Sequence, residues 1–260
     1  MSSLRNTVSK SLVLSPLILC GALLLSACAS DPGVSRAGIY DPKEESNRMV
    51  HGFNKDVDKY LFSPASNGYG SLFPKPVRRG FSNFADHLSL PNDVVNHTLQ
   101  GDLEEATGSA FRFVVNTIFG LAGFIDTATA MDIPRDDTDF GETLTVWGVQ
   151  EGAYVELPFF GPSTSRDSVG LVTDIILNPF VVVFRNPTQY VGAAAYVVDR
   201  MGDRYDYDTS IDSILYDSAD SYAQARIIYL QNRRHQLGVA GEETYVDPEF
   251  DPYEDPYDDF

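Results

Sequence analysis

The apolar residues of this chain are gathered into runs too short to cross a bilayer. A spanning helix needs about 20 predominantly apolar residues in succession. The segment from Ala110 to Ile125, AFRFVVNTIFGLAGFI, would be about 24 Å long as a helix, against a hydrocarbon core of roughly 30 Å. A second block, Ile175 to Phe184, is interrupted by Asn178-Pro179 and followed by Asn186-Pro187, which cut it into short, bent helices. A third, Val191 to Val198, carries Gly192 and three alanines, small enough for close helix packing. The expected fold is therefore mainly α: a ring-like bundle of short amphipathic helices with at most a short strand or hairpin, embedded in one leaflet.

The first of these segments has two faces. Arg112, Asn116, Gly120 and Gly123 are spaced 4, 4 and 3 apart and share one stripe of a helix, polar at one end and small at the other. Two readings stand. The stripe lines a passage whose apolar outside faces lipid, or the segment is a core helix with Arg112 and Asn116 paired inside. An earlier amphipathic helix poses the same choice. Asp41, Pro42 and Glu44 form a capping-box pattern. Met49, Val50, Phe53, Val57, Tyr60 and Leu61 then fall on one face. As a surface helix it packs this face on the core; as a membrane-facing helix it presents Phe53, Val57 and Leu61 to lipid. Pro64, Pro74 and Pro76 predict a linker after it. Phe81, Phe84 and Leu88 suggest a short helix ended by Pro91, and a second from Asn92 burying Val94, Val95, Leu99 and Leu103.

The N-terminus gives an address. Arg5 and Lys10 precede an apolar run from Leu12 to Leu25, followed by Ser26, Ala27 and Cys28, the pattern of a lipoprotein signal peptide over residues 1–27. Cys28 is then the lipid-attachment residue, and Ala29 to Tyr40 a tether. Acyl chains add about 0.8 kcal/mol of membrane affinity per buried methylene. Ala29, which is not aspartate, points to the outer membrane by the enteric sorting rule. Cys20 leaves with the leader, so the mature chain has no pair for an internal disulfide.

Charge excludes one class of partner. The whole chain has 19 basic and 37 acidic residues; loss of Arg5 and Lys10 deepens the imbalance, so nucleic acid is not expected. A hydrophobic share of 43% is enough for a sizeable core. A last helix is expected from Ser218, with Tyr222, Ile227, Leu230 and Leu237 inward and Gly238 ending it. Residues 239–260 hold nine acidic and no basic residues and read as a disordered acidic tail.

The densest local specification runs from Asp139 to Asp167. Gly141, Gly148, Gly152 and Gly161 each suit a positive φ, and the first three suggest a gating loop. Tyr154-Val155-Glu156-Leu157 alternates like one short strand and is stopped by Pro158. Ser163 or Ser165 can cap a helix with Asp167 in its first turn.

The wording of this stretch resembles the MlaA/VacJ family of outer-membrane lipoproteins. It carries Asp139-Phe140-Gly141, Thr143-Leu144, Trp147-Gly148-Val149, Gly152, Tyr154, Leu157-Pro158, Gly161-Pro162 and Arg166-Asp167 in the family's order. Shorter matching pieces, including Asn47-Arg48, Phe53-Asn54, Leu99-Gln100-Gly101 and Asn116-Thr117, extend the resemblance from about residue 41 to about 237, the span of an expected helical domain over 41–238. Gln150 stands where members often have another glycine. The resemblance implies a lipid-anchored outer-membrane protein in the periplasmic leaflet. Such a protein removes mislocalised phospholipids from the outer leaflet and passes them to a soluble periplasmic phospholipid-binding protein, with an outer-membrane porin trimer as scaffold. A structural envelope lipoprotein without transport activity is the alternative.

No catalytic constellation is visible along the chain. His51, His87, His97 and His235 lie in separate segments without metal-ligand spacing. There is no GxSxG elbow, no nucleotide-binding loop and no calcium-loop order among Asp136, Asp137, Asp139 and Glu142. Neither a cofactor nor an enzymatic activity is expected.

Overall fold

A computed structural model describes residues 39–179 and 190–238. The signal peptide, Cys28, most of the tether, the end of the second apolar block and the acidic tail lie outside the described residues. The body that begins at Lys43 is helical with one hairpin.

Helix α1 (Glu44–Val57) starts on Lys43, which offers no side-chain cap, so the box expected from Asp41 is not what opens it. It continues without a break through a π turn (Asp58–Phe62) into α2 (Ser63–Leu72). Pro64 does not interrupt this helix as expected. It sits just after the π turn, where the hydrogen-bond ladder is already shifted and a missing N–H costs less. The chain extends only at Phe73. Helix α3 (Lys75–Gln100) then runs unbroken through Pro91 and stops at Gly101, whose φ of 84° is left-handed. The two short helices expected here are one, because packing along its whole length outweighs the single bond that Pro91 cannot make. Helix α4 (Leu103–Ile118) packs along α3, and the turn after it leads to α5 (Thr127–Ala130).

Helix α6 (Phe140–Val146) is N-capped by Asp139. Strand β1 (Tyr154–Leu157) pairs antiparallel with β2 (Gly161–Thr164), Tyr154 opposite Thr164 and Leu157 opposite Gly161. The strand expected at Tyr154 to Leu157 is therefore present with the same bounds. Helix α7 (Ser165–Leu177) is capped by Thr164, which accepts from the Asp167 N–H, not by Ser163 or Ser165. Helix α8 (Val191–Asp206) packs on α2 and α3. After α9 (Asp208–Asp212) and a second π turn (Ser213–Asp217), α10 (Ser221–Gln236) is capped by Asp220 and followed by Gly238 at φ 66°.

Arg204, almost fully buried, joins three of these elements. Its guanidinium meets Asp58 of the first π turn at 2.8 Å, and Asp208 and Asp212 at 2.6 Å each. The Tyr216 hydroxyl donates to the same Asp58 at 2.7 Å. Beside this hub, α2 and α8 approach at Gly70, where an added Cβ would meet the Tyr205 ring at 2.1 Å. Gly68, two residues earlier, has nothing within 4 Å. Gly70→Ala should therefore cost about 1–3 kcal/mol by overpacking, while Gly68→Ala should be neutral or stabilising by up to about 1 kcal/mol. Paired thermal melts in detergent check both.

Candidate lipid-facing surface and the polar interior behind it

Helix α4 is built inside out. At 100° per residue, Leu103, Thr107, Phe111, Val114 and Ile118 form one stripe, and all five are exposed. The opposite side buries Ser109, Arg112 and Asn116 together with Ala106 and Val115. Arg112 reaches Asp126 at 2.9 and 3.1 Å, Thr129 at 3.2 Å and the Ile133 carbonyl. Asn116 donates to Asp126 at 3.0 Å, and its carbonyl oxygen accepts from the Ala128 N–H at 2.9 Å and the Thr127 hydroxyl at 3.0 Å. These bonds fold α5 against α4. The small cavity beside Arg112 and Asn116 holds about 20 Å³, room for roughly one water and not for a lipid head group.

The stripe read as channel lining is thereby corrected. Arg112 and Asn116 are paired inside the protein, and Gly120 and Gly123 do not continue the helix, which ends at Ile118. Asn116 satisfies the turn rather than an opening. A Cβ on Gly120 would meet the Ile125 carbonyl at 2.1 Å, and one on Gly123, at φ 97°, would meet His87 at 2.4 Å. Both glycines sit where the chain is approached too closely for a side chain.

The same inversion recurs along the chain. In α1, Asn47 and His51 are buried while Met49, Phe53, Tyr60 and Leu61 of α1 and the π turn are exposed, Leu61 by 67%. In α3, Asp93, Asn96 and His97 are buried, whereas Leu99 and, beyond it, Leu103 are exposed and Val94 and Val95 are not fully buried as expected. In α7 the exposed residues are Val169, Val172, Ile175, Ile176 and Leu177. An apolar exterior over a polar interior is the reverse of a water-soluble domain.

The threonines that remain on the outside of α3, α4 and α7 are satisfied locally. Thr98, Thr107 and Thr117 are exposed, and each hydroxyl donates to the carbonyl four residues back, at 2.7, 2.7 and 2.6 Å. Thr173 does the same at 2.8 Å. This pattern removes a hydroxyl from any need for water. From Ala106 to Ile125 the only charge is Arg112, and it points inward. Trp147, half exposed, likewise donates its indole N–H to the Leu99 carbonyl at 3.1 Å. Leu121 and Phe159, among the most exposed apolar residues, sit at φ 54° and 67°, a costly backbone for such side chains.

The hairpin is held against α1 by side chains from its polar face. Asn47 donates to the Tyr154 carbonyl and accepts from the Glu156 N–H, both at 3.1 Å. Asn54 donates to the Leu157 carbonyl at 3.0 Å and accepts from the Phe159 N–H at 2.8 Å. Phe53 stacks edge-on against Phe159 at 5.2 Å. Phe53 and Leu61 are exposed and Val57 is half-buried. Of the suggested gating glycines, Gly148 and Gly152 take positive φ, 82° and 73°. Gly141 does not. It lies inside α6, where a Cβ would meet Asp167 at 2.6 Å and Arg233 at 2.9 Å, so it permits close packing rather than a bend.

Asp167 anchors this corner. It accepts from the Thr164 hydroxyl at 2.9 Å and the Tyr229 hydroxyl at 2.8 Å, and faces Arg166 and Arg233. Burial pushes its carboxyl up, but the charges of Arg233 and Arg166 and the two hydroxyls outweigh this and hold it below the usual carboxylate range.

One constellation crosses elements that the sequence keeps far apart. His51 Nδ1 lies 3.2 Å from a Glu156 oxygen, and His51 Nε2 lies 3.1 Å from Ser221 Oγ. Ser221 Oγ also lies 3.1 Å from Lys55 Nζ. No motif joins residues on α1, β1 and α10, and only the hairpin's register brings Glu156 to His51. Among the described residues no group of His, Cys, Asp and Glu is arranged as a metal site.

Residues 39–236 match the family described as MlaA lipoprotein. The chain is 36% identical over 227 residues to the intermembrane phospholipid transport system lipoprotein MlaA of Escherichia coli K12, covering 86% of this chain and 87% of that protein. Its counterpart in Haemophilus influenzae is 32% identical over 224 residues, covering 84% and 88%. A solved structure described as the structural basis for maintenance of bacterial outer membrane lipid asymmetry superposes with a TM-score of 0.64 at 30% identity, covering 76% of this chain and 98% of that one.

Removing the Asp167 charge leaves Arg166 and Arg233 buried without it. Asp167→Asn should cost about 3–5 kcal/mol at neutral pH. Because the folded carboxyl is the more acidic, its contribution is complete above the unfolded value of about 3.9 and is lost as pH falls below it. Urea unfolding at pH 7 and pH 3 should show the wild type losing part of this contribution and the variant losing less.

Proposed function

Because this chain belongs to the MlaA lipoprotein family, we propose that it works in phospholipid transport at the outer membrane, maintaining lipid asymmetry by removing phospholipids that have strayed into the outer leaflet. It is attached by acyl chains on Cys28 in the periplasmic leaflet and delivers its cargo to a soluble periplasmic phospholipid-binding protein, with a porin trimer as scaffold. No helix among the described residues is long and apolar enough to cross a membrane, so the body is set into one leaflet, its short helices forming a ring.

The observation that carries this reading is the inverted burial. Apolar side chains on α4 and α7 face outward with their threonine hydroxyls turned back on the helix, and polar side chains face inward. A phospholipid poses the matching problem: its head group resists hydrocarbon and its chains resist water. Inner polar faces accommodate the first and outer apolar faces the second. The movable elements are the hairpin, held to α1 by two asparagines, and the loop through Gly148 and Gly152, which gates the path. The cavity beside Arg112 is too small to be that path at rest.

Two charges on the outer stripe test the proposal. Ile118 and Leu121 are 65% and 70% exposed, so Ile118→Lys with Leu121→Lys should leave the melting temperature in detergent within a few degrees. Each lysine costs about 2.5–3.5 kcal/mol in the centre of a bilayer, and cells carrying the variant should accumulate surface phospholipid, read with a membrane-impermeant amine label. Normal asymmetry with the double variant would favour a structural envelope lipoprotein. Trp147 is the only tryptophan, so its emission reports its surroundings directly. It should shift blue and be quenched by bromine-labelled acyl chains in vesicles; unchanged emission from vesicle-bound protein would put this edge in water.

A further inference from the structure

With a neutral His51, the hydrogen bonds around Ser221 run in the direction that activates it. Glu156 as a carboxylate can only accept, so the His51 proton on this side sits on Nδ1 and is donated to Glu156. Lysine can only donate, so Lys55 Nζ gives a hydrogen bond to Ser221 Oγ. In that tautomer the Ser221 hydroxyl donates to the lone pair of His51 Nε2, 3.1 Å away. The Tyr154 hydroxyl completes the chain by donating to the second Glu156 oxygen. Serine hydroxyl to imidazole to carboxylate is the arrangement that turns a serine into a nucleophile, and it is recognised by geometry rather than by position in the chain.

Access and charge agree with that role. A cleft of about 420 Å³ opens on this point, lined by His51, Lys55 and Ser221 together with Arg48 and Asp220. Arg48 is occupied, bonded to Asp220 at 2.8 and 2.9 Å and to Glu44 at 2.8 Å. Lys55, which bonds the serine itself and leans over the Tyr216 ring, is the cation placed where negative charge would form.

We infer that Ser221, His51 and Glu156 form a nucleophilic site for carboxylic esters, an activity separate from lipid passage. Ser221 Oγ bonds to the ester carbonyl carbon while its proton passes to His51 Nε2, and the carbonyl electron pair moves onto oxygen beside the Lys55 ammonium. Collapse re-forms the carbonyl and breaks the bond to the alcohol oxygen, which leaves with the proton from His51. Water then attacks the acyl-serine, gives its proton to His51, and releases the carboxylic acid as Ser221 recovers its hydrogen. Glu156 is a positioning residue: it fixes the imidazole tautomer and stabilises the imidazolium.

The test uses the full-length lipoprotein in detergent with a fluorophosphonate probe and p-nitrophenyl butyrate. Expected is one covalent adduct mapped to Ser221 by peptide mass, with ester hydrolysis lost by at least about 100-fold in Ser221→Ala and His51→Gln. Glu156→Gln, which keeps the hydrogen-bonding shape without the charge, should slow labelling about tenfold or more at an unchanged melting temperature, and Glu156→Asp should restore part of it. The adduct is located on wild-type protein, so the outcome does not depend on whether a variant folds. No adduct on folded wild-type protein, an adduct on another serine, or hydrolysis that survives Ser221→Ala overturns the inference and makes the constellation a tie between α1, the hairpin and α10. Transport is read separately, by surface phospholipid, and stands or falls on its own.

Discussion

Hydrocarbon supplies no hydrogen bonds, and the outward threonines of α4 and α7 ask none of it, each bonding the carbonyl four residues back. Helices α4 and α7 turn their buried polar side chains towards neighbours and keep apolar ones outside. The Arg112, Asn116 and Asp126 cluster is the clearest case. Asp126 caps α5, binds Arg112 and binds Asn116, so one carboxylate satisfies a cation, an amide and a helix start at once. A buried cation that lost it would be strongly destabilising, and the turn holding Leu121 outward would lose its support. The apolar exterior thus depends on the polar interior being complete.

The hairpin is the second consequence. A two-stranded ribbon is marginal by itself, and here its stability is borrowed from α1, through Asn47 and Asn54, and from the Asp167 corner. These bonds join residues about a hundred positions apart, which makes the hairpin a reporter of how α1 sits. Phe53 and Phe159 extend the tie to the surface. Tyr154 at its start is buried and packs edge-on against Tyr222 of α10, so the ribbon is anchored at its base and exposed at its Phe159 tip.

The ester-cleaving site inferred at Ser221 uses the same tie. Glu156 belongs to the hairpin, His51 to α1 and Ser221 to α10, so the arrangement is complete only while the hairpin is docked. The two functions proposed for the chain therefore share one mechanical element, the hairpin that carries Glu156.

How much of this was legible in the residues follows from the range of the forces involved. Periodicity marked α1, α4 and α10, alternation marked Tyr154 to Leu157, and the limited run lengths excluded a spanning helix, because these are local properties of the chain. The motif between Asp139 and Asp167 was enough for the family. Local rules failed where a distant partner outweighed them. Pro64 and Pro91 lie within helices that packing holds together, Gly141 is a contact point against Asp167 and not a hinge, and Gly120 and Gly123 serve a turn rather than a stripe. Sequence by itself determined that the apolar segments are short and two-faced. Which face turns outward was decided only in three dimensions, since periodicity gives the angle between faces but carries no sign. The sign is set by whether Arg112 finds Asp126, Asn47 finds the hairpin, and His51 finds Glu156 and Ser221, and those partners meet only when the chain has folded.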